Sequence, residues 1–433
     1  METPVVRVGL IGAGTVGSPL IGLLLDSNRV EMLVDAAGAR LELVAVAIQD
    51  LARDRPGIPR ELLIDDAASL AERSDIDILV EVAGGVESTR TLLEAALRQG
   101  TSVVTANKAL MAAHGTELVQ MARLHHTDLF YEGAVAGGVP ILRALRTSLA
   151  GERINRVMGI VNGTTNFILS KMTSEGSDYD DVLAEAQRLG FAETDPTADV
   201  EGFDAAAKVT ILSSLAFGTP LSGETIFREG ITKVRSVDVA YALRHGHVIK
   251  LLGIAERIGE QSISRRVHPA MVPVDHPLAA VNGAYNAVFV EGAASGPLMW
   301  LGQGAGGAPT AAAVLGDIVA AARNKVSGRF EAPLSVDFSL QYFPVGELQS
   351  VFYLTVDVLD RPGVLATVAG VFGEHSVSIK SMEQSGFGDE ARLTFLTHMV
   401  FESDIAATLE DLAQLDVVDA VGSCIRVVGE GPG

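Results

Sequence analysis

Lysine is the side chain in this sequence with the most chemistry to explain. Only seven of the 33 basic residues are lysine, at positions 108, 171, 208, 233, 250, 325 and 380; the rest are arginine. Arginine keeps its charge in a protein, whereas a partly desolvated lysine amine can give up a proton, which suits acid/base work at a carbonyl. Lys208 stands four residues after Asp204 in the apolar run GFDAAAKVTILSSLAFG. The pair reads either as an ordinary helical i,i+4 contact, worth about 0.2–0.5 kcal/mol, or as a proton donor with its orienting carboxylate. Lys108 follows Ser102-Val103-Val104-Thr105-Ala106-Asn107. It reads either as a strand-end residue with its stem along the surface or as an amine delivered to a ligand crevice. Glu193-Thr194-Asp195-Pro196-Thr197-Ala198-Asp199 adds three carboxylates, a set that could hold the ammonium of an amino-acid substrate. Its spacing fits no EF-hand calcium loop.

The elements that must position these groups begin with strand-like runs alternating with helical ones: Val5 to Ile11, a helix to about Ala37, Leu41 to Ile48, Ile76 to Val82, Glu87 to Gln99, Ser102 to Thr105 and Leu129 to Tyr131. That rhythm predicts a parallel sheet. Gly12-Ala13-Gly14-Thr15-Val16-Gly17 lies between the first strand and the first helix, the context that gives a GxGxxG pattern meaning. Gly12 allows the tight turn, Gly14 lets backbone approach a pyrophosphate, and Gly17 packs helix on strand, with the helix N-terminus facing the phosphates. The second strand ends in Gln49-Asp50, with Arg53 and Arg55 just beyond. Asp50 suits ribose hydroxyls and the arginines a 2′-phosphate, so NAD and NADP both remain open.

The middle third mixes a strand at Asn155 to Val161, helices at Tyr179 to Leu189 and Phe203 to Ala216, and strands around Ile263 and Ala287 to Val290, in no order the sequence reveals. GQGAGGAPT, 302–310, opens a helix to about Asn324, and Val326 to Gln349 reads as a linker containing Pro333 and Pro344. The last 80 or so residues read strand, helix, strand, strand, helix, strand, the ferredoxin-like order. The expectation is an α/β protein: a Rossmann-type nucleotide domain over 1–145, with helix 306–324 packing back on it, an α+β catalytic and dimerisation domain over 146–325, a linker over 326–349, and a C-terminal domain over 350–433.

Composition excludes much else. At 433 residues the chain has room for about three domains. Hydrophobic residues at 48% against 20% charged support several cores. A net charge of −21, with no basic stretch, makes nucleic acid and anionic membranes poor partners. The single cysteine, Cys424, suits a reducing cytoplasm. The start METPVVRVGLIG does not read as a signal peptide, and no apolar run approaches the ~18 residues of a membrane helix. Asn162-Gly163-Thr164 therefore reads as a chance glycosylation pattern. Cys424 lies in the last strand, a poor place for the thiol of a phosphorylating aldehyde dehydrogenase, and the histidines at 125, 126, 245 and 247 lack zinc-ligand spacing.

The stretch Ala186 to Lys208, AQRLGFAETDPTADVEGFDAAAK, resembles the signature of the homoserine dehydrogenases, and EVAGG (81–85), TSVVTANKAL (101–110), EGAVAGGVPI (132–141), VNGTTNFIL (161–169) and GQGAGGAPTA (302–311) are similar to that family too. The resemblance spans the chain to about Asn324. It implies NAD- or NADP-dependent interconversion of L-homoserine and L-aspartate 4-semialdehyde, the branch step toward threonine, methionine and isoleucine. By motif match, Lys208 is the acid/base group, Asp204 orients it, and Lys108 binds and polarises the substrate beside the nicotinamide. Glu193 and Asp199 hold the substrate's amino end, and Gly163 and Thr164 supply contacts near the nicotinamide. The cofactor falls to Gly12, Gly14, Thr15, Val16, Gly17, Gln49, Asp50, Arg53, Gly84, Thr105, Ala106, Lys108 and Gly304. A structural monovalent cation, Na⁺ or K⁺, falls to Glu132 and the backbone oxygens of Val135, Gly137 and Val139. Gln49 stands where many relatives carry arginine, which weakens the case for NADP, and Arg53 could compensate.

The C-terminal unit, LDRPGVLATVAGVFGEHSVSI onward, is similar to ACT domains, which bind amino acids at the interface of two copies. The implied effector is threonine, with Gly363 permitting the strand-to-helix turn where such ligands meet backbone amides. With the nucleotide fold beginning at once, no kinase domain is expected ahead of it. Family likeness further implies a homodimer or homotetramer, pairing through the middle domain's sheet.

Overall fold

The computed structural model describes residues 3–221, 226–331 and 336–429. Pro333 of the expected linker, the first two residues and the last four of the C-terminal domain lie outside them. In chain order the elements are β1 (Val5–Ile11), α1 (Gly17–Leu25), α2 (Val30–Ala37), β2 (Arg40–Ala47), β3 (Leu63–Ile64), α3 (Ala67–Ala71), β4 (Ile78–Glu81), α4 (Glu87–Arg98), β5 (Ser102–Thr105), α5 (Lys108–Leu124), β6 (Leu129–Phe130), α6 (Ile141–Arg143) and β7 (Ile154–Ile160). They continue with α7 (Gly163–Glu175), α8 (Tyr179–Arg188), α9 (Thr197–Val200), α10 (Phe203–Phe217), β8 (Phe227–Arg228), α11 (Ser236–Arg244), β9 (His247–Ile258), β10 (Ser262–Pro273), β11 (Tyr285–Gly292), β12 (Gly296–Gln303) and α12 (Gly307–Ser327). The last are β13 (Gln341–Tyr342), β14 (Gln349–Leu359), α13 (Val364–Glu374), β15 (Ile379–Phe387), β16 (Glu390–Thr397), β17 (Val400–Phe401), α14 (Glu402–Leu412) and β18 (Val418–Val427).

The chain folds as two compact units. One comprises 1–157, 207–225 and 286–340; the other 158–206, 226–285 and 341–433.

In the first unit a parallel sheet runs β3-β2-β1-β4-β5-β6, the order produced when successive crossovers wind outward from β1 in both directions. Strands β4 and β5 are buried along their whole length, as expected of strands covered on both faces. The helix expected to run to Ala37 is instead two, because the Asp26 carboxylate accepts from the Asn28 backbone N–H at 3.0 Å and turns the chain. α12 joins this core through Ala311, Val314, Ile318 and Ala321, packed with Val8, Leu10 and Leu20.

In the second unit the strand order is β9-β10-β18-β14-β16-β15. The last four strands are the expected βαββαβ unit, with all three neighbouring pairs antiparallel, and Phe352, Leu354, Val368, Phe372 and Phe395 at its core. Its last strand also pairs in parallel with β10, Ala270 against Arg426 and Met271 against Val427. Among the described residues no helix is long and apolar enough to cross a membrane.

Candidate functional site

The glycines of the nucleotide loop are there for space. Gly12 has φ of +102°, and a Cβ on it would lie 2.8 Å from the Ala83 backbone nitrogen. On Gly17 a Cβ would come within 2.0 Å of the Gly12 carbonyl oxygen, so helix α1 can start against β1 only without a side chain there. Nothing lies within 4 Å of the corresponding position on Gly14, which leaves the loop's outer side open to a ligand. Gly307 continues the theme: its Cβ would meet the Thr15 carbonyl oxygen at 2.2 Å, so α12 begins against the loop itself.

Beside this loop, within the first unit, lies a cavity of about 420 Å³ lined by Thr15, Val16, Gly84, Ala106, Lys108, Gly137, Lys208 and Gly304. It thus gathers both informative lysines, one of them among the six of the thirteen expected cofactor residues that line it: Thr15, Val16, Gly84, Ala106, Lys108 and Gly304. Lys208 is nearly buried, and Lys108 is exposed as the first residue of α5. Gly12, Gly14, Gly17 and Thr105 do not line the cavity; Thr105 lies buried beneath it. Gln49, Asp50 and Arg53 are exposed in the turn after β2. There the Asp50 carboxylate accepts from Ala52 N at 2.8 Å, while Arg55 donates to the carbonyls of Asp50 and Arg53 and is tied into the turn.

Sequence reading missed the residue that frames this cavity. Glu81, fully buried at the end of β4, accepts from the backbone N–H of Ala83 and of Gly84, each at 2.8 Å, and from the Thr105 hydroxyl at 2.6 Å. Asn107 extends the frame by donating to the Gly85 carbonyl at 2.6 Å and capping α5 at Leu110 N. The sequence signals were a carboxylate inside the apolar run ILVEVAGG and the EVAGG motif (81–85) that begins with it.

Glu132 is also buried. Its two oxygens accept from Leu142 N at 2.8 Å and Arg143 N at 2.7 Å, and its own N–H donates to Asp317. Burial and the neighbouring Asp317 carboxylate push its pKa up to about 7. The loop after it is bent by left-handed φ values at Ala136, +54°, and Gly137, +47°. Val135 and Val139 are buried on that loop. Among the described residues no cluster of three or more His, Cys, Asp or Glu side chains is placed to hold a metal ion. Gly304 faces the Gly137 turn on one side and the buried, hydrogen-bond-free amide of Asn286 on the other.

The second unit holds the remaining candidates. Asn162 caps α7, its Oδ1 accepting from Thr165 N at 2.9 Å. Its Nδ2 donates to Asp199 at 2.7 Å and Asp204 at 2.9 Å, drawing the two carboxylates to one amide. Asp204 is nearly buried and Asp199 half-buried; Glu193 is exposed and outside this cluster. Gly163 lies so close to the Ala284 carbonyl that a Cβ would be 2.9 Å from it, and the Thr164 hydroxyl donates to the Phe191 carbonyl at 2.7 Å.

Residues 12–132 match the NAD-binding domain of homoserine dehydrogenase, 140–319 match homoserine dehydrogenase proper, and 352–417 match the ACT domain. A homoserine dehydrogenase of Corynebacterium glutamicum is 49% identical, over 98% of this chain and 95% of its own. The chain belongs to the homoserine dehydrogenase family. The crystal structure of a homoserine dehydrogenase from Thiobacillus denitrificans superposes with a TM-score of 0.91 at 38% identity, covering 98% of this chain and 99% of that one. A hyperthermophilic archaeal homoserine dehydrogenase solved with NADPH shares 30% identity and a TM-score of 0.62, over 73% of this chain and 97% of its own. The family assignment makes the protein an oxidoreductase with an NAD-binding domain, a catalytic domain and a C-terminal ACT domain.

Proposed function

We propose that the protein interconverts L-homoserine and L-aspartate 4-semialdehyde with NADP or NAD, as a step toward threonine, methionine and isoleucine in a reducing cytoplasm. The observation that carries this reading is one cavity of the first unit whose lining includes Lys208 and Lys108 together with Thr15 and Val16 of the GxGxxG loop. The residues fit a dinucleotide: Gly12, Gly14 and Gly17 open the loop, Thr15 and Val16 bring it to the cavity, and Gly84, Thr105, Ala106 and Gly304 line or underlie the opposite side. Gln49, Asp50 and Arg53 stand where the adenosine ribose would lie, Asp50 suiting its hydroxyls and Arg53 a 2′-phosphate. When bound, the nicotinamide supplies or takes the hydride at the carbon bearing the oxygen.

Lys208 gives the alkoxide oxygen its proton in the reductive direction and takes it back in the oxidative one. Its near-burial removes the water that would otherwise exchange that proton. Lys108 donates to the same oxygen and draws charge onto it. Asp204 orients the acid/base amine, and Asp199, with Glu193, binds the substrate's ammonium, with Gly163 and Thr164 holding the backbone beside it. Glu132 and the carbonyls of Val135, Gly137 and Val139 form an all-oxygen donor set of the kind a hard monovalent cation takes, and that cation would stiffen a glycine-rich loop. The sheet edge formed by β12 leaves Met299 and Leu301 exposed, which supports pairing of two copies there. Threonine, acting through the ACT unit, is the proposed feedback effector.

The test is to mix protein, L-homoserine and either NAD or NADP at alkaline pH and follow reduced nicotinamide by absorbance. Turnover is expected, and Lys208→Ala should lower kcat about 10²- to 10⁴-fold with cofactor affinity unchanged. A near-wild-type kcat in that variant would remove Lys208 from the mechanism.

A further inference from the structure

Lys250, on β9, is a buried ammonium that takes no part in the proposed proton transfers. It is 2% exposed, and burial lowers its pKa from 10.5 to about 8. A charge so costly to bury needs acceptors for all three of its N–H bonds. It has them: Nζ donates to the Val281 carbonyl at 2.5 Å, to Asn166 Oδ1 at 3.2 Å and to Asn282 Oδ1 at 3.3 Å. Two of these acceptors belong to the connection between β10 and β11, and the third to α7.

Asn166, buried on α7, completes the arrangement. An ammonium only donates and a carbonyl only accepts, so its amide has one orientation open to it, Oδ1 toward Lys250 and Nδ2 toward the backbone. Nδ2 donates to the carbonyls of Gly283 at 2.9 Å and of Val281 and Tyr285 at 3.2 Å each. Ser170, one turn further along α7, accepts from Gly283 N at 3.2 Å. Gly283 has φ of +65°, a left-handed turn that glycine makes without strain. Residues 281–285 are thereby strapped to α7. Within the strap, the Ala284 carbonyl lies so near Gly163, the first residue of α7, that a Cβ there would stand 2.9 Å from its oxygen. Gly163 follows Asn162, whose amide holds both Asp199 and Asp204.

We propose that Lys250 and Asn166 are positioning residues for the substrate's amino end, acting through the 281–285 loop, which sets where α7 begins and so where Asn162 holds the Asp199 carboxylate. This rests on the reading of Asp199 as the group that takes the ammonium, and extends it to two buried residues that act through backbone. Removing either one releases the loop, lets Gly163 and Asn162 drift, and moves Asp199 away from the place it keeps for the substrate. Asp204 is seated on the long helix α10 and shifts less than Asp199 on the one-turn α9, so binding of homoserine suffers more than turnover.

The full chain is compared with three variants of graded severity. Lys250→Met removes the ammonium; Asn166→Asp keeps its shape and an oxygen for Lys250 but loses the donors to the loop; Ser170→Ala removes one bond to Gly283. KM for homoserine should rise about tenfold or more in the first two and about threefold in the last, with kcat reduced less than about threefold and dinucleotide affinity within about twofold. Lys171→Met, which breaks ion pairs of the same helix with Glu175 and Glu185, should leave KM within about twofold. Amide hydrogen exchange should quicken both at 281–285 and at 162–166 in Lys250→Met and Asn166→Asp. An unshifted KM in those two variants, or an equal rise in Lys171→Met, overturns the role. Faster exchange in the loop with none at 162–166 overturns it too, because loop and helix start would then be uncoupled. Should the two severe variants not fold, an unchanged KM in Ser170→Ala overturns it alone. A wild-type protein that turns over no homoserine removes the dehydrogenase reading and this role together.

Discussion

Replacing Asn162 by alanine removes four hydrogen bonds; the Thr165 hydroxyl keeps the Asn162 carbonyl as an acceptor, and the structure sets the size of the other three. The cap on α7 is worth about 1 kcal/mol. The hydrogen bond to Asp204, between two nearly buried groups, falls in the upper part of the ~1.5–3 kcal/mol range for a charged acceptor. The bond to Asp199 falls at its lower end, because that carboxylate is half-buried and water can replace the amide. Together these predict a loss of about 5 kcal/mol in urea denaturation. The same substitution frees two carboxylates to repel each other, so kcat/KM for homoserine should fall about a hundredfold or more, with cofactor affinity within about twofold. Asn162→Ser keeps an oxygen to cap the helix but loses both donated bonds, so it should recover only about 1 kcal/mol. An alanine variant within about 1 kcal/mol of wild type that retains most of its kcat/KM would show that the shared amide organises nothing.

Two further outcomes are expected. Gly17→Ala forces its methyl within 2.0 Å of the Gly12 carbonyl oxygen, so nicotinamide affinity by fluorescence titration should fall about tenfold or more; retained affinity would mean the loop has another way to open. Lys250 is buried and donates to Asn166, Val281 and Asn282, and burial lowers its pKa from 10.5 to about 8. Its folded value lies below its unfolded one, so it costs stability at neutral pH, and that cost is relieved as pH rises from about 8 to 10.5. The recovery amounts to about 3 kcal/mol. Urea midpoints compared across that range should rise more for wild type than for Lys250→Met, and parallel curves for the two would contradict the assignment.

What the sequence made legible was local. The GxGxxG loop, helix α13 and the βαββαβ order depend on residues a few positions apart, and periodicity and turn chemistry report those directly. The split of the first long helix was hidden because Asp26, which ends α1, looks like any solvated carboxylate until its bond to Asn28 is seen. Strand β12 was missed because its alternation leaves Met299 and Leu301 outward, the reverse of an ordinary surface strand. Asn162 was read as a chance glycosylation acceptor, since its partners lie 37 and 42 residues further on. Glu81 likewise gained its meaning from Thr105, 24 residues away.

The pairing of β18 with β10 limits how this protein can be altered. The ACT domain supplies a strand to the sheet of β9 and β10, and Tyr353 and Ser423 both bond to the buried carboxylate of Asp238 outside that domain. Cutting the module away would therefore strip a rung from β10 and bare a sticky border inviting aggregation, besides leaving Asp238 short of donors. The ACT domain is better altered by single substitutions than by amputation, and a chimera carrying a foreign ACT domain would have to reproduce the β10 register.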